Sequence, residues 1–418
     1  MKKFLLLLSS AFVISAYGQR ICGTDKKMST FFAKNAEAKS NRDALRTFLI
    51  SNNSEANRAP NAVVTIPVVV HILYKNTAQN ISDAQIASQI KVLNDDFRKL
   101  NADFNTVVPS VFKPAGADLE LAFCLATKKA DGSSTTGVER KSVSSSFTFG
   151  NDYYKSNGLA AWDPTKYLNI WVGKFDGVDE FGDPWTGTLG FAYLPDAAGL
   201  PYDGLCIGYD VFGTTGTATA PFNKGRTGTH EIGHYFGLNH IWGDEENSCG
   251  TAAGNDGCAD TPATKEPYFN KPTFPTNQYA CNTTSAGSMF MNYMDYVDDA
   301  SMAMFTNNQK TITQNTMAGP RASLLNSNAC AILAVDDIEK TNAINLFPNP
   351  AVNYISIASP LIKITEVEIF GSDGKLVKKA KVQNETDKID VRQLTLGTYY
   401  VRTYNESGFV KSMKFIKK

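Results

Sequence analysis

The chain has 418 residues, of which 43% are hydrophobic and 20% are charged, and 41 basic residues balance 41 acidic ones. This length suits roughly two to four domains, and the composition excludes a disordered or fibrous protein. A nucleic-acid-binding protein would show a basic excess or a basic stripe, and neither is present. We therefore expect a globular protein with several folded units and no nucleic-acid partner.

The first residues have the pattern of a secretory signal peptide. Met1-Lys2-Lys3 is a positive segment, residues 4–16 are apolar, and Ala16-Tyr17-Gly18 offers small residues to a signal peptidase. Gln19 ends the apolar run before it reaches the roughly 20 residues that a membrane helix needs. We expect cleavage after Gly18 and export, which makes the seven cysteines candidates for disulfides with one left over.

The next part of the chain predicts a sheet with a helix packed on it. Residues 19–58 are polar, and Ser82 is predicted to cap a helix whose apolar residues recur at helical spacing over residues 86–97. Strands are predicted at residues 65–74, 119–126 and 167–175. His71 lies in the first of these strands and is expected to be a hydrogen-bonded core residue rather than a metal ligand. From residue 342 onwards, short β runs alternate with turns, which predicts an all-β sandwich.

The segment from His230 to His240 contains the residues of a catalytic metal site. His230 and His234 are one turn apart on a helix, so both imidazoles point to one side. Gly237 lets the chain turn sharply, so that His240 can return as the third ligand. Three protein ligands leave a position for water, as in catalytic zinc sites. Glu231 can take a proton from that water and pass it to a leaving amine, which predicts hydrolysis of peptide bonds.

The histidine count makes this motif specific. The chain has only four histidines, and three of them fall within the segment 230–240. Such clustering argues against a chance match on an ordinary surface helix.

The pattern H-E-x-x-H-x-x-G-x-x-H resembles the metzincin metalloproteases, and the finer likeness is to the pappalysin-like branch, with ulilysin and the cytophagalysins. The motifs that carry this likeness are residues 123–126, 190–195, 240–244, 260–262 and 292–296. The resemblance implies an α+β catalytic domain with a mixed twisted sheet and an active-site helix. It also implies a methionine turn at Met294, a role for Tyr296 in stabilising the tetrahedral intermediate, and an upper strand near residues 189–193 that pairs with substrate.

Cys22 lies just after the predicted signal cleavage site, far from any core pattern. Latent members of this branch place a propeptide cysteine at the open zinc position, and a thiolate is a good zinc ligand. The resemblance therefore implies that Cys22 keeps the enzyme latent, with a disulfide cysteine as the alternative reading. Removal of a propeptide over residues 19–58 would leave six cysteines. Cleavage is expected in the exposed stretch 57–60, and Arg321-Ala322 is expected to be a second exposed site.

The other cysteines are only partly assigned by the resemblance. Cys249 and Cys281 match one disulfide of the relatives, whereas Cys258 has no matching partner and the remaining pairing stays open.

Two acidic clusters follow the third histidine. The resemblance implies calcium in the first cluster, and a solvated acidic loop is the alternative. Its members are Asp244, Glu245, Asp256 and Asp260. The second cluster, Asp298-Asp299, would favour basic side chains in a substrate, although the specificity aspartate of the family aligns nearer Ala300.

Residues 342–418 resemble the C-terminal sorting domain of type IX secretion cargo. The matching motifs are residues 347–350, 371–377, 396–401 and 414–418. A carbohydrate-binding sandwich is the alternative for this module. Sorting implies the type IX secretion machinery as a partner and a location at the cell surface or in the medium, reached through the periplasm and the outer membrane.

The predicted organisation is a signal peptide at 1–18, a propeptide at 19–58, a catalytic domain at 59–330, a linker at 331–341 and a sorting domain at 342–418. We expect a secreted zinc endopeptidase that is made as a latent zymogen and acts as a monomer on protein or peptide substrates. One alternative is a surface adhesin with a degenerate metal site, against which the intact Glu231 argues. Another is a metzincin of a different branch, such as an astacin-like enzyme.

Overall fold

The computed structural model of the chain describes residues 19–51, 63–243, 249, 256–282, 286–330, 344–371, 375–384, 387–405 and 408–418. The chain divides into two compact units, Met1–Cys330 and Ala331–Lys418. Within the described ranges, no helix has the length and apolar character needed to cross a bilayer.

The first unit mixes helices and strands. Its helices are α1 (Thr24–Lys34), α2 (Ala36–Ile50), α3 (Asp83–Phe97), α4 (Phe104–Val107), α5 (Phe149–Asp152), α6 (Arg226–Tyr235) and α7 (Asn307–Ala318). Its strands are β1 (Ile21–Cys22), β2 (Val64–Tyr74), β3 (Leu121–Leu125), β4 (Val138–Ser142), β5 (Leu168–Gly173), β6 (Thr188–Ala192), β7 (Leu205–Gly208), β8 (Phe269–Asn270) and β9 (Tyr296–Val297).

A seven-stranded mixed sheet forms the centre of this unit. The strand order is β1-β6-β7-β5-β2-β3, and β4 also pairs with β2. β2 is long enough to pair with β3 along its first half and with β4 along its second half, both in parallel. β6 runs antiparallel to β7, and β1 lies parallel to β6 at the edge. The predicted α+β class with a mixed sheet is therefore confirmed.

Side chains that alternate along the strands give the sheet two apolar faces. One face packs against α3, α6 and α7 in the main core, which includes Ile72 and Ile170. Ser82 caps α3 as predicted, because its side chain accepts the N–H of Gln85. The opposite face carries Leu73 and Trp171 in a second cluster.

Residues 19–51, called here the N-terminal segment, are more ordered than their polar composition predicts. They form β1, α1 and α2, and the buried residues Met28, Phe31 and Leu49 fix the two helices against the rest of the unit. The Asn315 amide of α7 holds the end of α2 by donating to the Leu49 carbonyl at 2.8 Å and the Ser51 carbonyl at 2.7 Å.

The second unit is all-β, as predicted. Its strands are β10 (Asn345–Phe347), β11 (Tyr354–Ala358), β12 (Glu366–Gly371), β13 (Leu376–Lys381), β14 (Ile389–Asp390), β15 (Gly397–Asn405) and β16 (Gly408–Lys417). They form a three-stranded sheet, β10-β11-β14, and a four-stranded sheet, β13-β12-β15-β16. Ile355 of the first sheet shares one buried cluster with Val367 and Phe415 of the second, so the two sheets form a sandwich.

Of the six cysteines that follow the predicted propeptide, four form disulfides and two are free thiols. Disulfides join Cys124 to Cys330 and Cys249 to Cys281. Cys206 and Cys258 are buried thiols. The second of these bridges is the pair that the resemblance implied.

Arg321 corrects one sequence prediction. Its side chain is buried, and its guanidinium donates to both carboxylate oxygens of Asp203 at 2.7 and 2.8 Å. The expectation of an exposed cleavage site at Arg321-Ala322 is therefore wrong. The other predicted cleavage stretch, residues 57–60, lies outside the described residues.

Candidate active site

The three motif histidines converge at the end of α6. Gly225, at φ +73°, starts the helix that carries His230 and His234. Gly237, at φ +89°, turns the chain out of the helix, as the sequence predicts, and brings His240 back to the other two. The Nε2 atom of His234 lies 3.2 Å from that of His230 and 3.0 Å from that of His240.

Hydrogen bonds fix two of these rings in one orientation. The Nδ1 atom of His230 lies 2.7 Å from the Tyr293 carbonyl, and that of His234 lies 2.8 Å from the Leu238 carbonyl. A carbonyl only accepts, so each Nδ1 carries the proton and each Nε2 lone pair faces the centre. Burial and the two neighbouring imidazoles hold the pKa of His230 well below its usual range.

The donor set fits a tetrahedral metal ion. Nitrogen ligands at the usual Zn–N distance would be about 3.3–3.4 Å apart in a tetrahedral site, close to the observed nitrogen separations. The Cys22 sulfur supplies a fourth donor, since it and the three histidines offer ligand atoms that all lie within 4.8 Å of one another. The Nε2 lone pairs of His230 and His234 face each other at 3.2 Å with no proton between them, an arrangement that a bound cation would stabilise.

The N-terminal segment brings Cys22 into this cluster by adding a strand to the sheet. Ile21 and Cys22 pair with Thr188 and Gly190 of β6 in parallel. The Gly23 N–H donates to the Gly190 carbonyl at 2.8 Å. The predicted upper strand is therefore present as β6, and the chain itself occupies its free edge.

Glu231 lies between Cys22 and the start of α1. Its Oε2 atom is 3.5 Å from the Cys22 sulfur and accepts the Thr24 hydroxyl at 3.3 Å. Gly190 leaves the space for this carboxylate, because a Cβ there would lie 2.8 Å from Oε1. Before any cation is counted, burial raises the pKa of Glu231 to about 8 and that of Cys22 to about 12.

Met294 packs against α6, and Tyr296 packs against the histidine rings. Met294 is fully buried, and its sulfur packs against Gly233 of α6, where a Cβ would clash. The Tyr296 ring contacts the His240 ring at 5.0 Å between centroids and the Trp242 ring at 4.7 Å. The Tyr296 ring therefore lies beside the histidine rings, and the methionine turn at Met294 stays a prediction.

Asp295 holds the backbone at Tyr296. Its Oδ1 atom accepts the N–H of Tyr296 at 2.6 Å and the N–H of Tyr268 at 2.8 Å, across the start of the β8–β9 pair. Burial raises the pKa of this carboxyl to about 8.

Arg20 occupies a pocket that the sequence did not predict. Its guanidinium lies 2.6 Å from the Asp299 carboxylate and donates to the Thr227 hydroxyl at 3.0 Å, with both charged side chains almost fully buried. The guanidinium also lies over the Phe222 ring at 4.9 Å. Asp299, which the family comparison set aside in favour of Ala300, is thus the residue that receives a basic side chain.

The proposed calcium ligands are only partly described. Asp244 and Glu245 lie outside the described residues. Asp256 accepts the Thr261 hydroxyl, and Asp260 accepts both the Thr306 hydroxyl and the Asn308 N–H. Calcium at this loop stays a prediction.

His71 occupies the core position expected of it. It is buried, with Nε2 at 2.9 Å from the Asn169 amide oxygen and Nδ1 at 3.0 Å from the Glu139 carboxylate.

Several residues of the site were missed in the sequence for identifiable reasons. Arg20 and Thr24 lie in a polar stretch with no motif, and their contacts join positions more than 200 residues apart. Gly190 appeared only as a member of a matching motif. Asp299 was not missed in the same way, since the sequence predicted a role for the acidic Asp298-Asp299 pair and the alignment then favoured Ala300.

Comparisons with known proteins agree with this geometry. The family model described as pregnancy-associated plasma protein-A, peptidase family M43, matches residues 153–318, and the secretion system C-terminal sorting domain matches residues 345–418. An extracellular metalloprotease of Arthroderma otae is 30% identical over 260 residues, which cover 61% of this chain and 78% of that protein.

Two solved structures from Tannerella forsythia are similar to this chain. A mutant of promirolysin is 35% identical, with a TM-score of 0.62, and the match covers 75% of this chain and 98% of the other. Mature mirolysin in complex with a cleaved peptide is 40% identical, with a TM-score of 0.57, and covers 65% and 99% respectively. The match to the precursor thus covers ten percentage points more of this chain than the match to the mature enzyme does.

These matches exclude the adhesin and the astacin-like alternatives. The chain belongs to the pappalysin family of metalloproteases, and it is a secreted metalloendopeptidase that is made as a latent zymogen and carries a C-terminal type IX sorting domain.

Proposed function

We propose that His230, His234 and His240 hold a catalytic zinc ion and that the chain's own residues use it to hydrolyse peptide bonds. The observation that carries this proposal is the convergence of three Nε2 atoms at 3.0–3.2 Å beside Glu231. Zinc supplies Lewis-acid activation of water and of the substrate carbonyl when it is bound.

Glu231 is proposed as the general base. The carboxylate is buried next to the histidines, and in the zymogen Cys22 and Thr24 occupy the space in front of it. Once that space is free, Glu231 takes a proton from the attacking water and gives it to the leaving amine. Gly190 keeps the carboxylate in position by presenting no side chain to it.

Tyr296 is proposed to stabilise the developing oxyanion. The ring is held by His240 and Trp242, and Asp295 fixes its backbone. A phenol O–H that points to the carbonyl oxygen donates a hydrogen bond that strengthens as negative charge develops.

The N-terminal segment supports two further proposals. Residues 19–58 act as the propeptide, in which Cys22 fills the fourth metal position and leaves Glu231 with no water to activate. The Arg20 pocket receives a basic side chain of the substrate after the propeptide has left, because Asp299 remains in it as a buried anion. The β6 edge then binds an extended substrate through its backbone.

The proposal is tested by Glu231→Gln in the activated enzyme, with the exposed Glu266→Gln as the matched control. We expect Glu231→Gln to retain stoichiometric zinc and to lower kcat on a peptide substrate roughly a hundredfold or more, because the base is lost while all three ligands remain. Zinc content and initial rates are the measurements. Near-normal turnover with bound zinc would remove Glu231 from the mechanism.

A further inference from the structure

Helix α1 leaves the metal cluster and covers an apolar surface on the second face of the sheet. Met28 and Phe31 are 4% and 5% exposed in this position. The Met28 sulfur accepts the Leu194 N–H at 3.4 Å, and the Phe31 ring meets the Tyr193 ring edge-on at 6.3 Å. Removal of the propeptide uncovers this surface.

An acidic loop between β5 and β6, residues 176–183, borders the same surface. The Lys26 ammonium lies 2.7 Å from one carboxylate of the loop and 3.5 Å from another, and Lys34 pairs with a third. The acidic residues of the loop are Asp176, Asp179, Glu180 and Asp183. Two lysines of α1, Lys26 and Lys34, therefore meet the acidic loop, and its apolar residues meet the rings.

The acidic loop is built by its own contacts and does not depend on the propeptide. The Asp179 Oδ1 atom accepts the N–H of Phe181 at 2.9 Å and the N–H of Asp183 at 2.8 Å. Val178 and Phe181 are 50% and 66% exposed even with α1 in place. When the propeptide leaves, these hydrogen bonds still hold the loop, and Asp179, Glu180 and Asp183 lose their lysine partners. Asp176 keeps its own partner, because its carboxylate lies 2.8 Å from the Lys75 ammonium.

Lys27 of α1 lies among the aromatic rings of this surface and not on the acidic loop. The Lys27 ammonium lies 4.9 Å from the Trp185 ring and 5.0 Å from the Phe191 ring. Ring faces attract cations, but burial lowers the pKa of the Lys27 ammonium to about 8. The charge match of α1 therefore rests on Lys26 and Lys34 at the acidic loop.

We propose that the helix-docking surface, formed by Trp185, Phe191, Tyr193, Leu194 and the acidic loop, is an exosite of the mature enzyme for basic amphipathic helices in protein substrates. This inference rests on the proposed hydrolysis of protein substrates. The propeptide helix shows the chemistry that the surface recognises, with Lys26 and Lys34 on the acidic loop and Met28 and Phe31 on the apolar part. Binding at a site remote from the scissile bond lowers KM for substrates that carry such a helix and leaves short peptides unaffected.

The test uses the activated enzyme and three substrates that share one cleavable peptide. The first substrate is the peptide alone. The second and third each carry an amphipathic helix attached to one end of the peptide. This helix has lysines in the second substrate and glutamates at the same positions in the third. We expect kcat/KM to be about tenfold higher for the lysine version at low salt, since two or three ion pairs of modest strength separate the versions. The difference should shrink as salt screens the charges.

Two enzyme variants locate the effect. Glu180→Gln combined with Asp183→Asn neutralises two exposed carboxylates of the acidic loop and should remove most of the preference. Asp210→Asn combined with Glu266→Gln makes the same charge change at exposed positions elsewhere and should preserve it. Equal kcat/KM for the lysine and glutamate versions, or a preference that survives the loop substitutions, would overturn the exosite. Failure to cleave the short peptide would count against the proposed function instead.

Discussion

Arg20→Ala is the perturbation that tests how the propeptide is held. In the zymogen the Arg20 guanidinium pairs with Asp299 at 2.6 Å, and the two side chains are 1% and 0% exposed. Removing one partner of a buried pair costs about 3–5 kcal/mol, because the other charge stays buried without compensation. Asp299 keeps the backbone N–H groups of Lys224 and Arg226, at 2.8 and 3.3 Å. Because these two N–H groups still stabilise the carboxylate, the free-energy cost of Arg20→Ala should lie near the lower end of that range, at about 3 kcal/mol.

A cost of about 3 kcal/mol corresponds to a loss of roughly a hundredfold in affinity. The assay is inhibition of the activated enzyme by synthetic peptides of residues 19–51, measured from initial rates on a short substrate. The Arg20→Ala peptide should have a Ki about a hundredfold higher than the parent peptide, whereas Lys39→Ala, at an exposed position of α2, should match the parent. A change of less than threefold for Arg20→Ala would refute the reasoning, since it would mean that the buried pair contributes little to docking.

Two further predictions concern substrate choice and pH. The cleavage profile of the activated enzyme on a peptide library should show Arg or Lys at one fixed position beside the scissile bond, because the Asp299 pocket is vacated with its charge intact; an even distribution of residues there would contradict that role. Burial lowers the pKa of Lys27 to about 8 in the zymogen. The charged ammonium therefore destabilises the folded zymogen below pH 8. This cost disappears as the pH rises from 8 towards about 10.4, the ordinary pKa of a lysine. Lys27→Met should therefore raise the Tm of the zymogen at pH 7 and give a smaller gain at pH 10, and an equal gain at both pH values would show that desolvation of the ammonium is not the cause.

The convergence of the three histidines was predictable because they form a local pattern. His230 and His234 share one helix, and Gly237 supplies the single sharp turn that brings His240 back. Each step needs only helix geometry and the conformational freedom of glycine. The mixed sheet and the β-sandwich followed in the same way, from apolar runs and turn spacing.

Contacts between distant segments were not predictable from this sequence. The Arg20–Asp299 pair and the Cys124–Cys330 disulfide join residues separated by 279 and 206 positions. No local pattern encodes such a partner. The helices α1 and α2 were missed for a related reason, since their only buried apolar residues are Met28, Phe31 and Leu49 and their stability comes from packing on distant parts of the chain.

The central claim is that three histidines hold zinc and that Cys22 completes the site in the zymogen. X-ray absorption at the zinc edge of the purified full-length chain tests it most directly. We predict one sulfur at about 2.3 Å and three nitrogens at about 2.0–2.1 Å, with the sulfur replaced by a lighter ligand in Cys22→Ala and in the activated enzyme. A precursor that binds no zinc, or one whose zinc has no sulfur neighbour, would contradict the account.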